Sequence, residues 1–281
     1  MILQNQKDLF NLPTTPIYLN GAYMSPQLKS VEKIGIENLQ RKSHPASITP
    51  ADFFSEKELL RQRFATLIQV DDPQRIALMP SVSFGIATAM RNIPFQPGDE
   101  IVVLEEQFPS NYYTWKQLEA EKNIKVITIH APELTAGRGA RWNEAIINAI
   151  SSKTKCVALP HVHWADGTKF DLQRIRKGCN VVDAYLVIDG TQSVGAMPFS
   201  VQDIRPDVLI CGGYKWLLGP YGLGVAYFGA RFDQGIPLDN NWMNHEGAED
   251  FSNLVNYNPT LKPKAARYDI GESSNFILVP M

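Results

Sequence analysis

The sequence predicts an α/β fold, a mostly parallel sheet with helices on both faces. Three observations point there. Short apolar runs of strand length alternate with stretches of amphipathic helical spacing. The runs are apolar throughout, as expected of strands covered on both sides. Residues able to do chemistry recur directly after those runs, where ligands gather in open parallel sheets.

The elements follow in order. Residues 27–42 and 55–69 carry apolar side chains at helical spacing. The run 75–79 reads as a strand and leads into a helix over 82–91. Pro97-Gly98-Asp99-Glu100 is a turn before the strand 101–104. A helix over 109–122, a strand over 125–129, a helix over 141–150 and a strand over 155–159 continue the alternation. It proceeds with a helix over 171–177 and strands over 185–188, 207–211 and 224–228. No internal repeat or low-complexity tract interrupts it.

Composition bounds the function classes. The chain has 281 residues and a hydrophobic fraction of 44%, ample for a core. A formal net charge of −2 gives no electrostatic case for nucleic acid or an anionic membrane. No apolar run has the length that spans a bilayer. The N-terminus lacks the charged-then-apolar pattern of a signal peptide. Cys156, Cys179 and Cys211 form no CxxC pair and no disulfide framework. A cytoplasmic, reduced protein is the expectation.

Lys215 is the most informative residue. It lies in Cys211-Gly-Gly-Tyr-Lys-Trp-Leu-Leu-Gly-Pro-Tyr-Gly-Leu-Gly224, a glycine-rich turn between two apolar runs. Partial desolvation in such a turn lowers an amine's pKa and makes it a nucleophile for carbonyls. Upstream, the strand Tyr185-Leu-Val-Ile ends in Asp189. A Schiff-base lysine and a carboxylate beside a pyridine nitrogen are the pair that pyridoxal 5'-phosphate (PLP) chemistry requires. Gln192, three residues on, is placed to reach the phenolic oxygen of the same ring.

Other strand ends add candidates. Ser81 reads as a helix N-cap. With Ser83 and the first helical amides it suits a phosphate. Phe108 follows the strand 101–104 and can cover a flat ring. Tyr214 can offer its hydroxyl to the phosphate, and Gly212 and Gly213 permit close backbone approach. Each has a plainer reading taken alone: a capping serine, a core aromatic, an Asp-Gly turn, a surface glutamine. His161-Val-His163 lacks a third ligand at convincing spacing, so no metal is expected. No Walker lysine pattern, G-x-S-x-G elbow or G-x-G-x-x-G fingerprint is present.

Taken together, the segments resemble the class V aminotransferase family of fold-type I PLP enzymes. That group includes cysteine desulfurases, selenocysteine lyases, isopenicillin-N-epimerase-like proteins and kynureninases. The most specific stretches are Asp189-Gly-Thr-Gln192-Ser-Val-Gly195 and Gly213-Tyr-Lys215-Trp-Leu-Leu-Gly-Pro-Tyr-Gly222. The resemblance implies a fold-type I large domain over 26–281 behind an N-terminal arm over 1–25. It implies that Lys215 is the catalytic Schiff-base lysine, Asp189 the pyridine-nitrogen partner and Gln192 the phenolic-oxygen partner. Phe108 takes the ring-stacking place. Val82 and Ser83, with Ser81 just before them, take the phosphate turn, and Tyr214 a further phosphate contact.

Departures from the family pattern carry information too. Gly212 stands where desulfurases usually have a serine, and Trp164 near an asparagine position. Gly271-Glu-Ser-Ser-Asn275 replaces a Gly-Thr-Pro-Asn-like segment that reaches a partner subunit's phosphate, making Ser273 or Ser274 the expected equivalent. The family continues past the position of Met281 into a smaller domain. That domain carries the substrate-carboxylate arginine and, in desulfurases, the nucleophilic cysteine. The expected function is therefore a PLP-dependent lyase or desulfurase, epimerase or transaminase acting on an amino acid, in a homodimer. The alternatives are a kynureninase-like hydrolase and a non-catalytic PLP-binding homologue.

Overall fold

The computed structural model describes residues 4–281. Its strands are β1 (Ile76–Met79), β2 (Glu100–Leu104), β3 (Lys125–Ile129), β4 (Thr154–Pro160), β5 (Tyr185–Asp189), β6 (Val208–Gly212) and β7 (Gly224–Phe228). The helices are α1 (Lys29–Arg41), α2 (Ser55–Leu67), α3 (Val82–Asn92), α4 (Ser110–Lys122), α5 (Arg138–Ala149), α6 (Leu172–Val181) and α7 (Val201–Ile204). The strands make one sheet in the order β1-β7-β6-β5-β4-β2-β3. Pairing is parallel from β6 through β5, β4 and β2 to β3. Only β7 runs against its neighbours, antiparallel to both β1 and β6.

Strand alternation divides the core in two. Val102, Leu104, Val157, Leu159, Leu186, Ile188 and Leu209 face one side, packed with Trp142, Ile146, Leu172 and Ile175 of α5 and α6. Ile101, Val103, Cys156, Ala158, Tyr185, Val187, Val208 and Ile210 face the other, with Ile86 and Ala89 of α3 and Trp115 and Leu118 of α4. Both faces are covered, which is why the strands read as unbroken apolar runs. Aligning so many strands parallel sends β2, β4, β5 and β6 to one end of the sheet, and the loops that follow them converge there.

Two helix ends differ from the sequence expectation by three residues or more. Helix α5 begins at Arg138, three residues early, after Gly137 in a left-handed conformation (φ 77°). Helix α6 runs to Val181 instead of stopping at Lys177. Gly178 looks like a stop signal but lies inside the helix, where a Cβ would sit 3.0 Å from Ile150 Cδ1. It is a packing glycine, and Cys179 beyond it is buried. Helix α7 also went unread; Ser200 caps it by accepting from Asp203 N at 3.2 Å.

The outer edge of β1 is covered. Leu78 N donates to Asp269 Oδ1 at 2.9 Å, and Ile270 N donates to Leu78 O at 3.1 Å. The segment after the short 3₁₀ helix Lys264–Tyr268 thereby occupies an edge that would otherwise offer free pairing groups. No helix among the described residues is long and apolar enough to cross a membrane.

Candidate active site

A cavity of about 240 Å³ opens beyond the carboxyl ends of the parallel strands. All eight residues singled out from the sequence line it: Ser81, Val82, Ser83, Phe108, Asp189, Gln192, Tyr214 and Lys215. They arrive from four strand ends. Strand β1 delivers Ser81 to the start of α3. The β2 end delivers Phe108, the β5 end Asp189 and Gln192, and the β6 end Tyr214 and Lys215.

Lys215 is 6% exposed. Its Nζ lies 5.7 Å from the Phe108 ring centre and 5.6 Å from that of Tyr214. Burial lowers the amine from its ordinary value, and the nearby Asp189 charge opposes that shift. The net direction is downward, toward the neutral nucleophilic form. Asp189 is also buried, at 8% exposure. Burial raises its carboxyl, opposed by the hydroxyl and amide of Thr191 and by the charge of Lys215.

The cavity is also lined by hydrogen-bond donors. Ser81 caps α3, its Oγ accepting from Phe84 N at 3.2 Å. The Ser81 and Ser83 hydroxyls lie 2.9 Å apart. The amides of Val82 and Ser83 head the helix, where N–H groups have no intrahelical acceptor and the dipole favours an anion. Tyr214 lies at the same mouth with its ring 4.8 Å from that of Tyr221. Phe108 meets Trp164 edge-on at 5.6 Å, and the Trp164 indole donates to Glu106 O at 2.7 Å.

Gln192 has more to do than the sequence suggested. Its Nε2 donates to Ala22 O at 3.0 Å, and its Oε1 accepts from Trp216 Nε1 at 3.0 Å. One amide hydrogen stays free for a ligand. Ser25 donates to Tyr214 O from both its amide (3.3 Å) and its hydroxyl (3.1 Å). Residues 20–25 are thus tied to the turn that carries Lys215. Trp216, Thr191 and Tyr221 were given no role by sequence reasoning, while Trp164, noted only as a departure from the family pattern, lines the cavity. Thr191 had a signal, since it lies two residues past a strand-terminal carboxylate. The contacts of Trp216 join distant segments and had none.

Several sequence candidates lie elsewhere. His163 approaches Asp166 and Glu105 O, while His161 packs against Phe199, with burial lowering its imidazole to about 4. Ser273 is 3% exposed and turned toward Lys57 and Met243, and Ser274 also faces Met243. The three cysteines are buried, and burial raises each thiol above its ordinary value.

The Lys215 turn is braced from below by Gly195. That residue adopts φ 95°, and a Cβ there would lie 2.3 Å from Trp216 O. Gly195→Ala is expected to destabilise the fold by at least about 1–3 kcal/mol through backbone strain. It should also displace the turn. Urea denaturation reads the first effect and the near-ultraviolet signal of Trp216 the second.

Residues 29–239 match the family model for aminotransferase class-V. An uncharacterized aminotransferase of Bacillus subtilis is 27% identical over 69% of this chain and 50% of its own length. A probable cysteine desulfurase of Methanothermobacter thermautotrophicus is 29% identical over 59% of this chain and 40% of its own. The chain spans about half, or less, of the length of these curated relatives. Among solved structures, the apo cysteine desulfurase of Thermococcus onnurineus superposes with TM-score 0.81 at 20% identity. The match covers 99% of this chain and 70% of that one. A C-DES mutant with glycine covalently linked to its PLP cofactor superposes with TM-score 0.82 at 18% identity. Here 99% of this chain and 73% of that one are covered.

Proposed function

Because the chain belongs to the class-V aminotransferase family, we propose that it binds PLP around Lys215 and is an enzyme acting on an amino acid. One observation carries this reading. The buried Lys215 amine shares a cavity with the buried Asp189 carboxylate, between two aromatic rings.

The donor set fits the cofactor group by group. An amine of lowered pKa suits the aldehyde, a buried carboxylate suits a protonated ring nitrogen, and the Phe108 face suits a flat ring. The capped start of α3 suits the phosphate. When bound, the cofactor supplies an electron sink for bonds breaking at the substrate's α- or β-carbon.

The chain's own residues divide the remaining work. Lys215 would hold the cofactor through Nζ and, when its amine is free, could move the proton at a substrate's Cα as general base. Asp189 keeps the ring nitrogen protonated by pairing with it. Phe108 covers one face and excludes water from it. Gln192 turns its free amide hydrogen to the phenolic oxygen. Ser81, Ser83, the amides of Val82 and Ser83, and Tyr214 orient the phosphate.

The same residues serve a lyase or desulfurase, an epimerase, a transaminase or a kynureninase-like hydrolase. None of Cys156, Cys179 and Cys211 is poised as a sulfur acceptor, because all three are buried with raised thiol pKa values. The reading includes a homodimer. Tyr221, which lines the cavity yet is exposed, gives apolar surface that association would cover.

Incubation with PLP should give a visible absorption band, and borohydride should fix the cofactor to a peptide containing Lys215. Mass spectrometry reads the site. A protein that stays colourless at saturating PLP, with no adduct, overturns the proposal.

A further inference from the structure

We propose that Thr191 is the positioning residue that clamps the Asp189 carboxylate to the turn carrying Lys215. The inference rests on the PLP reading above and adds a residue to it. Strand β5 ends at Asp189 and β6 at Gly212, side by side in the sheet. Past these ends the ladder stops, and a separate link must fix the spacing between the two loops. Thr191 supplies it. Its backbone N–H donates to Asp189 Oδ1 at 3.0 Å, and its Oγ1 accepts from Gly212 N at 3.1 Å. A threonine hydroxyl has one proton and two lone pairs. With a lone pair committed to Gly212, the hydroxyl proton stays available to the neighbouring Asp189 carboxylate, and the hydroxyl is the first of the groups that oppose the effect of burial on it. The residue is itself buried, at 8% exposure, and lines the cavity.

Two consequences follow from this geometry. The first is positional. Gly212 lies two residues before Tyr214 and three before Lys215. Fixing its amide to Thr191 fixes the root of the Lys215 turn relative to Asp189. The second is electrostatic. Asp189 is raised by burial, and Thr191 is among the groups that pull it back toward the ionised form. Only the ionised carboxylate holds a ring nitrogen protonated. Loss of the Thr191 hydroxyl therefore raises Asp189 further, so it takes up a proton at a higher pH. The acid limit of PLP binding should move upward in pH by the same cause.

Thr191→Val keeps the shape and removes the hydroxyl. Its dissociation constant for PLP should rise about tenfold, the lower end for a hydrogen bond to a charged group. The acid limb of the binding curve should shift to higher pH, and Thr191→Ser should restore both. In an Asp189→Asn background Thr191→Val should cause no shift of that limb, which separates action through Asp189 from general loosening. Circular dichroism checks folding, and Thr191→Ala replaces Thr191→Val if the latter does not fold. Equal affinity and equal acid limbs in wild type and variant overturn the inference. So does a shift that persists in the Asp189→Asn background. A wild-type chain that binds no PLP overturns instead the PLP reading, and this inference with it.

Discussion

Lys215→Ala should lower turnover of an amino-acid substrate by about a thousandfold, within the range for loss of a general base. It should also abolish borohydride-trappable PLP. The two losses have one origin. Nζ is the buried amine in the cavity, 5.7 Å from the ring centre of Phe108. Binding through the phosphate end and Asp189 should survive, so PLP retention falls much less than turnover. Turnover is read with a panel of L-amino acids and retention by gel filtration with absorbance detection. Wild-type rates in Lys215→Ala would sink the assignment.

Lys215→Arg separates charge from reactivity. Arginine keeps a cation beside Asp189 but stays protonated at all working pH values. It should bind PLP non-covalently and remain as inactive as the alanine variant. If charge alone were the contribution of Lys215, arginine would restore the rate. The lowered pKa also sets a sign. Cofactor capture needs the free base, so its rate should rise with pH through the titration of Lys215. Burial lowers that limb below the ordinary lysine range.

How much of this was legible in the sequence depends on the range of each interaction. The central strands were legible because burial on both faces makes each a continuous apolar run, and Ile76–Met79 of β1 reads the same way, whereas the edge strand β3 is only partly buried. Strand ends were legible as sites because parallel strands must deliver their following residues to one end. The end of α6 was not legible past Lys177, because Gly178, spared for Ile150, has the form of a glycine that ends a helix. The reversed direction of β7 left no trace in its apolar run. Gln192 was legible as a cavity residue but not as the link between Ala22 and Trp216. Those partners lie 170 residues back and 24 residues on, and no local pattern encodes them. The buried charges of α2 were hidden for the same reason, since Lys57 and Arg61 resemble the exposed charges of any amphipathic helix.

Those charges set the largest stability effect. Lys57 and Arg61 are each 1% exposed, as is Asp269. Asp269 Oδ2 accepts from Arg61 and lies 3.4 Å from Lys57 Nζ, while its Oδ1 takes the Leu78 amide at 2.9 Å. Burial lowers the Lys57 amine, and Asp269 is the main group opposing that shift. Asp269→Ala leaves the buried Arg61 guanidinium, which cannot deprotonate, with only the part-exposed Glu58 carboxylate and Ile76 O, and leaves the Leu78 edge-strand N–H without its acceptor. The expected cost is about 3–5 kcal/mol, a large share of a domain's usual 5–15 kcal/mol. Removing this under-compensated cation should recover part of it. Asp269→Ala in an Arg61→Met background should therefore cost less than in the wild type. Urea denaturation of the four proteins gives the coupling. Additive costs would show that the cluster is no unit. The consequence reaches the site, because Leu78 lies three residues before Ser81. The carboxylate that covers the β1 edge also anchors the strand that delivers the capped helix start. Loss of PLP affinity should accompany loss of stability in Asp269→Ala, and both should ease together when Arg61 is removed.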